Sequence, residues 1–139
     1  MKRVLWTTSG ILLTIFVFYI GTIAAEKGER MKILNLKTEI GEGNNKQIDL
    51  LFEGPRRKIV QITLRNNGVL ESHKATEPIT IQCISGKGTL TIGQGLDSSS
   101  EGKKILELVP GVLVTIEPNT VHEIKSEPAV SVLLSKFTE

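Results

Sequence analysis

The chain is poor in most of the residues that carry recognisable chemistry. Its single cysteine, Cys83, excludes an intramolecular disulfide and a zinc site built from cysteine alone. The one Trp and the one Tyr both fall within the first thirty residues, so the rest has few rings on which a base could stack. An excess charge is missing too. Lys2, Arg3, Lys27 and Arg30 against Glu26 and Glu29 account for the whole formal net charge of +2, so residues 31–139 are electrically balanced. A nucleic-acid partner therefore has neither electrostatic nor stacking support. Scarcity of aromatics also argues against a large stacked substrate. No Gly-rich phosphate loop, nucleophile elbow or CxxC pair is present.

The one long apolar run is Val4–Ala25, which follows Met1-Lys2-Arg3. A positive end, an apolar stretch and small residues at Ala24 and Ala25 describe a secretory signal peptide. The same run is long enough to span a bilayer as an anchor, with Lys2 and Arg3 on the cytoplasmic side. A third reading starts translation at Met31. Glu26-Lys27-Gly28-Glu29-Arg30 can be spelled by purine-rich codons, including a ribosome-binding sequence just upstream of Met31. Under the first two readings the protein is exported or membrane-attached through residues 4–25; under the third it is cytoplasmic. In each case residues 1–30 stand apart, and 31–139 is expected to be one domain with one modest core.

From Lys32 onward, short runs rich in Val, Ile, Thr and Leu alternate with turn residues every eight to twelve positions. Strands are expected over Lys32–Lys37, Ile48–Phe52, Lys58–Arg65, Ile79–Ser85 and Thr89–Ile92. More follow over Lys104–Val109, Val112–Ile116, Glu123–Lys125 and Ala129–Phe137. Arg65-Asn66-Asn67-Gly68 reads as a turn, because Asn and Gly tolerate positive φ. Gly86-Lys87-Gly88 reads as another. Residues 41–46 form a loop, and Gly93–Lys103, polar throughout, is the loop expected to be mobile. No stretch keeps a helical period. Many short strands at even spacing predict an all-β sandwich or barrel.

Only two histidines occur, His73 and His122, about fifty residues apart, each on a strand-and-turn unit. Imidazole is a common metal ligand and a base near neutral pH, so two that meet in space are the best functional lead. The competing roles are plain ones. His73 would be a turn residue bonded to a backbone carbonyl, and His122 a partly buried ring holding a strand edge. Cys83, in ITIQCIS, reads as a small core residue. Strand alternation puts Ile79, Ile81 and Cys83 on one face and Thr80, Gln82 and Ile84 on the other. Gln82 is thus a pocket hydrogen-bonder, a neutral ligand, or solvated. Arg56-Arg57-Lys58 is a basic run before a strand, either a solvated turn or a partner for an anion or a second subunit.

The two histidine stretches resemble the cupin family of small jelly-roll barrels, and look like bacterial members with a reduced histidine set. The similarity covers about Lys58–Phe137. The family's second motif, Gly-x5-Pro-x-Gly-x2-His-x3-Asn, anchored on Gly111, places its histidine on His122. Glu117 takes the Pro slot, Asn119 the second Gly slot and Ser126 the Asn slot. Asn for Gly is mild, because both enter the left-handed region. The first motif, Gly-x5-His-x-His-x3/4-Glu-x6-Gly, aligns on His73 and Glu77, with Glu71 in the first histidine slot. Its last spacing, Glu77 to Gly86, is two residues longer than the family's.

The resemblance implies a cupin-like double-stranded β-helix, or jelly-roll barrel, preceded by an N-terminal hydrophobic segment. A metal bound there would take His73, Glu77 and His122, with Glu71 as a fourth ligand. Two imidazoles and a carboxylate suit iron, manganese, nickel or zinc. The reading that follows is a small-molecule-binding cupin domain of unassigned chemistry, with a divalent metal as its potential cofactor. The alternatives are a metal-dependent dioxygenase or isomerase acting on a small polar substrate, and a non-catalytic dimeric barrel with a sensory or structural role. The fold hosts all three. Such barrels also pair through edge strands, so the Lys32–Phe52 region is expected to complete a sheet or swap onto a partner in a homodimer.

Overall fold

A computed structural model describes residues 30–93 and 102–139. Both the hydrophobic leader and most of the Gly93–Lys103 loop lie outside the described residues. The described strands are β1 (Lys46–Glu53), β2 (Arg57–Leu64), β3 (Val69–His73), β4 (Ile79–Ile92), β5 (Lys104–Leu108), β6 (Leu113–Ile116) and β7 (His122–Phe137). All pairings are antiparallel, and no helix occurs among the described residues.

The two long strands, β4 and β7, organise the rest. The first half of β4 pairs with the second half of β7 and also carries β6, while β2 and then β1 continue from β7 on the other side. The second half of β4 pairs with the first half of β7. Here β5 flanks β4 and β3 flanks β7. Two groups of strands, β1-β2-β7-β4-β6 and β3-β7-β4-β5, thus share two continuous strands. Between them sits the core: Ile62 and Leu64 of β2, Ile81 and Cys83 of β4, Leu90, Leu108, Ile116, Ile124, Val130 and Val132. Burial holds the Cys83 thiol above its ordinary pKa, in keeping with an inert packing role.

The passage of β4 and β7 between the groups overturns one sequence expectation. Gly86-Lys87-Gly88 is no turn between strands; it is an irregularity within one strand. The register jumps from Gly86–Val130 to Gly88–Ser126, so one β4 residue faces three of β7, Glu127, Pro128 and Ala129. Pro128 has no N–H for a ladder and fits where pairing lapses. The runs expected at 123–125 and 129–137 are therefore one strand, β7. The two strands are also close here. A Cβ on Gly86 would lie 2.2 Å from the Ala129 carbonyl oxygen, and Gly86 has φ of 78°.

The expected Arg65–Gly68 turn is present. Asn66 and Asn67 have φ of 53° and 57°, and the Gly68 N–H donates to the Arg65 carbonyl at 2.8 Å. It leads into β3, which sequence reading missed because VLESH is short and polar at its end. β3 is held from outside. The Ser126 N–H and hydroxyl both donate to the Gly68 carbonyl, at 2.9 and 3.1 Å.

Lys32–Lys37 was expected to be a strand and is not. From Ile33 on it belongs to a strap without regular structure, residues 33–45, with Leu34, Leu36 and Ile40 half-buried. A side chain substitutes for a neighbouring strand. The Lys37 N–H donates to Gln61 Oε1 at 3.0 Å, and Gln61 Nε2 donates to the Lys37 carbonyl at 2.6 Å and to Ser131 Oγ at 2.8 Å. Arg65 holds the other end, donating from Nε to the Gly41 carbonyl and from Nη1 to the Asn44 carbonyl. The strap explains the sequence of β2. Val60 to Leu64 are buried at every position, so the run reads as unbroken Val, Ile, Thr and Leu around one Gln. β1 is left at an edge, with Ile48 and Leu50 both more than half exposed.

Candidate functional site

β3 and β7 bring the two histidines together. His73 and His122 are direct cross-strand partners, and their ring centroids lie 4.3 Å apart at an interplanar angle of 59°. His122 also faces Ile92, the last residue of β4. The two rings differ in environment: His73 is exposed, whereas His122 is 1% exposed.

Both rings are held in the same way. His73 Nδ1 lies 2.7 Å from the Glu71 carbonyl, and His122 Nδ1 lies 2.9 Å from the Thr120 carbonyl. A carbonyl oxygen can only accept, so each Nδ1 carries the proton. In the neutral ring each Nε2 is then an unprotonated lone pair. His122 Nε2 is buried and has no hydrogen-bond partner among the described residues. An orphaned buried acceptor of this kind calls for an explanation.

Neither carboxylate predicted to join the histidines stands free. Glu71 Oε2 is 2.6 Å from Lys46 Nζ. Glu77 Oε2 accepts from the Thr76 hydroxyl at 2.6 Å and pairs with Lys136 Nζ at 2.9 Å. These hydrogen bonds lower both carboxyl pKa values, led by Lys46 for Glu71 and by Thr76 for Glu77. Among the described residues no group of three His, Cys, Asp or Glu is gathered as a metal cage. Gln82 is half-buried on the face opposite Ile81 and Cys83, as alternation requires. Three cavities, of about 580, 250 and 400 Å³, lie at the strap, the β1–β2 turn and the Glu77–Phe137 end. Neither histidine lines any of them.

Burial lowers the His122 pKa, with a further contribution from the neighbouring His73 charge, while the Thr120 carbonyl opposes both. The unfolded chain takes up this proton near the ordinary value of 6.5. Below that pH the unfolded state binds more protons than the folded state, so folded stability is lost as pH falls. Above it His122 contributes no pH dependence. Urea denaturation is expected to show stability declining as the pH falls through 6.5. The slope should be shallower in His122→Phe. An identical slope in that variant would assign the effect to other groups.

No protein-family model and no curated protein sequence matches the chain. Solved structures do match. A RmlC-like cupin protein from Desulfovibrio desulfuricans aligns with a TM-score of 0.63 at 20% identity, covering 77% of this chain and 96% of that one. A RmlC-like cupin family protein with a double-stranded β-helix fold, from Methanocaldococcus jannaschii, gives 0.61 at 17%, covering 79% and 93%. The fold is that of the cupins. The cupin domain of Cnp3 from Schizosaccharomyces pombe shares it at 10% identity, with a TM-score of 0.58 over 72% of this chain and 69% of that one.

Within the cupin barrel the departures from the second motif have structural counterparts. Asn119, in the second Gly slot, adopts φ of 61°, and its N–H donates to the Ala75 carbonyl at 2.7 Å. This bond ties the turn before His122 to the segment after His73. Ser126, in the Asn slot, anchors the Gly68 turn at the start of β3. Both positions thus make bonds to the segments that flank β3. The signal that sequence reading missed was Gln61, an amide inside an apolar strand.

Proposed function

We propose that this cupin-fold domain binds a small polar molecule at the His73–His122 pair, through a divalent metal held by the two Nε2 atoms. The observation that carries the reading is the shared tautomer. Each ring spends its Nδ1 proton on a carbonyl and keeps an Nε2 lone pair, and the one on His122 is buried without a partner among the described residues. Ligating histidines are oriented in this manner by bonds from their other nitrogen. The donor chemistry fits iron, manganese, nickel or zinc. Two nitrogens make a partial set. Glu71 and Glu77 would complete it only by leaving Lys46 and Lys136, and such surface pairs are worth about 0–1 kcal/mol. A bound ion would supply an electrophilic centre with positions open to a small ligand. The protein's own part is to fix the two rings and to shield one of them from water.

Metal content of the purified full-length chain, prepared without chelator or nickel affinity resin, tests this. Close to one ion per chain is expected, falling at least about tenfold in His73→Ala. His73 is exposed, so the substitution leaves the core intact. Equal metal in both proteins would refute the site. So would a chain that stays metal-free after loading with iron, manganese, nickel and zinc.

A further inference from the structure

The basic run Arg56-Arg57-Lys58 plays no part in the histidine site, and the structure separates its three cations. Lys58 Nζ is 3.5 Å from Glu53 Oε1 across the β1–β2 hairpin. Arg56 and Arg57 have no carboxylate partner among the described residues. The Arg57 guanidinium carbon sits 5.1 Å from the centroid of the Phe52 ring. The same ring lies close to Gly54, where an added Cβ would come within 2.8 Å of ring carbons. Phe52 thus lies against both Gly54 and Arg57.

The turn beneath is fixed. The Gly54 N–H donates to the Arg57 carbonyl at 3.0 Å. From the C-terminal segment the Thr138 N–H donates to the Arg56 carbonyl at 2.9 Å, and its hydroxyl donates to the Pro55 carbonyl at 3.0 Å. Phe52, Gly54, Pro55, Arg56 and Arg57 line a cavity of about 250 Å³.

Stacking uses the face of a guanidinium and leaves the N–H donors along its edge for a planar anion. Arg65 makes the contrast. Its Nε and Nη1 are spent on the Gly41 and Asn44 carbonyls and on Gln47 Oε1, so its role is to hold the strap. We propose that the β1–β2 turn is an oxyanion site, in which Arg56 and Arg57, the latter seated on Phe52, take a carboxylate or a phosphate monoester. The cavity limits the ligand to a small molecule or to the anionic end of a larger one. This site is separate from the histidine pair and does not depend on it.

The test is a titration of isotope-labelled full-length chain with inorganic phosphate, and separately with acetate, followed by NMR. Saturable shifts confined to residues 52–57 are expected with at least one anion. Binding of both favours a carboxylate-type ligand, and binding of phosphate alone favours a phosphate monoester. Arg57→Ala should weaken binding at least about tenfold, or about 1.4 kcal/mol. Arg57→Lys, which keeps the charge and loses the planar fork, should also weaken it. Lys74→Ala, at an exposed cation elsewhere, should change nothing. The site is overturned by shifts that never saturate with either anion, or that scatter over the surface. It is equally overturned if Lys74→Ala weakens binding as much as Arg57→Ala.

Discussion

Gly86→Ala is expected to destabilise the domain by about 2–4 kcal/mol, combining overpacking with the cost of a side chain in the left-handed region. Gly86 has φ of 78°, and its missing Cβ would fall 2.2 Å from the Ala129 carbonyl oxygen and 2.7 Å from Ile40 Cδ1. The first contact is with backbone and the second with the strap. Relief would require β4 and β7 to separate where both pass between the two groups of strands. Those strands also carry Val130, Val132 and Cys83, so separation would disturb the core. Gly41→Ala provides the comparison, because nothing lies within 4 Å of its Cβ position. That change should stay within about 0.5 kcal/mol of the parent. Chemical denaturation of the three proteins reads both values. A Gly86→Ala loss below about 1 kcal/mol would mean that the strands part there at little cost.

The second large effect belongs to Gln61. Gln61→Leu is expected to cost about 2–4 kcal/mol, from three lost hydrogen bonds at roughly 1 kcal/mol each and a buried hydroxyl left poorly satisfied. Gln61 is 1% exposed and uses its whole amide. Oε1 accepts from the Lys37 N–H, and the two Nε2 protons go to the Lys37 carbonyl and Ser131 Oγ. These partners fix the amide's orientation without ambiguity, since an N–H and a carbonyl face it together. After substitution Ser131 Oγ, 1% exposed, keeps only a 3.5 Å contact with Thr63 Oγ1. The strap would lose both hydrogen bonds that tie the Lys37 backbone to β2. Hydrogen exchange should therefore quicken at the Lys37 amide more than at amides within the β4–β7 ladder. Unchanged stability with a still-protected Lys37 amide would show that Leu34, Leu36 and Ile40 hold the strap by burial alone.

Both predictions turn on features that local sequence conveys poorly. A Gly-Lys-Gly triplet signals relaxed backbone, but the same signal marks a turn and a bulge. Which one forms depends on whether the flanking runs pair with each other or with a third strand. Here both pair with β7, so the triplet stays inside β4. Lys32–Lys37, where the strap begins, reads as a strand on its Ile and Leu residues. Its ladder partner is a side chain contributed from 24 residues away, and no local pattern announces that.

By itself the sequence determined the all-β class, the Asn66–Asn67 turn and the core face of Ile79, Ile81 and Cys83. Each of these follows from intrinsic backbone preference or from strand alternation, which act over a few residues. Tertiary structure alone decided that the two histidines are cross-strand partners, that one is buried and the other exposed, and that Glu71 and Glu77 pair with Lys46 and Lys136. It also decided that Arg65 spends its Nε and Nη1 on the strap and Gln47, while Arg56 and Arg57 pair with no carboxylate among the described residues. The reason is common to all of them. A side chain's partners are set by register between strands distant in the chain, and a shift of one residue turns every side chain to the other face.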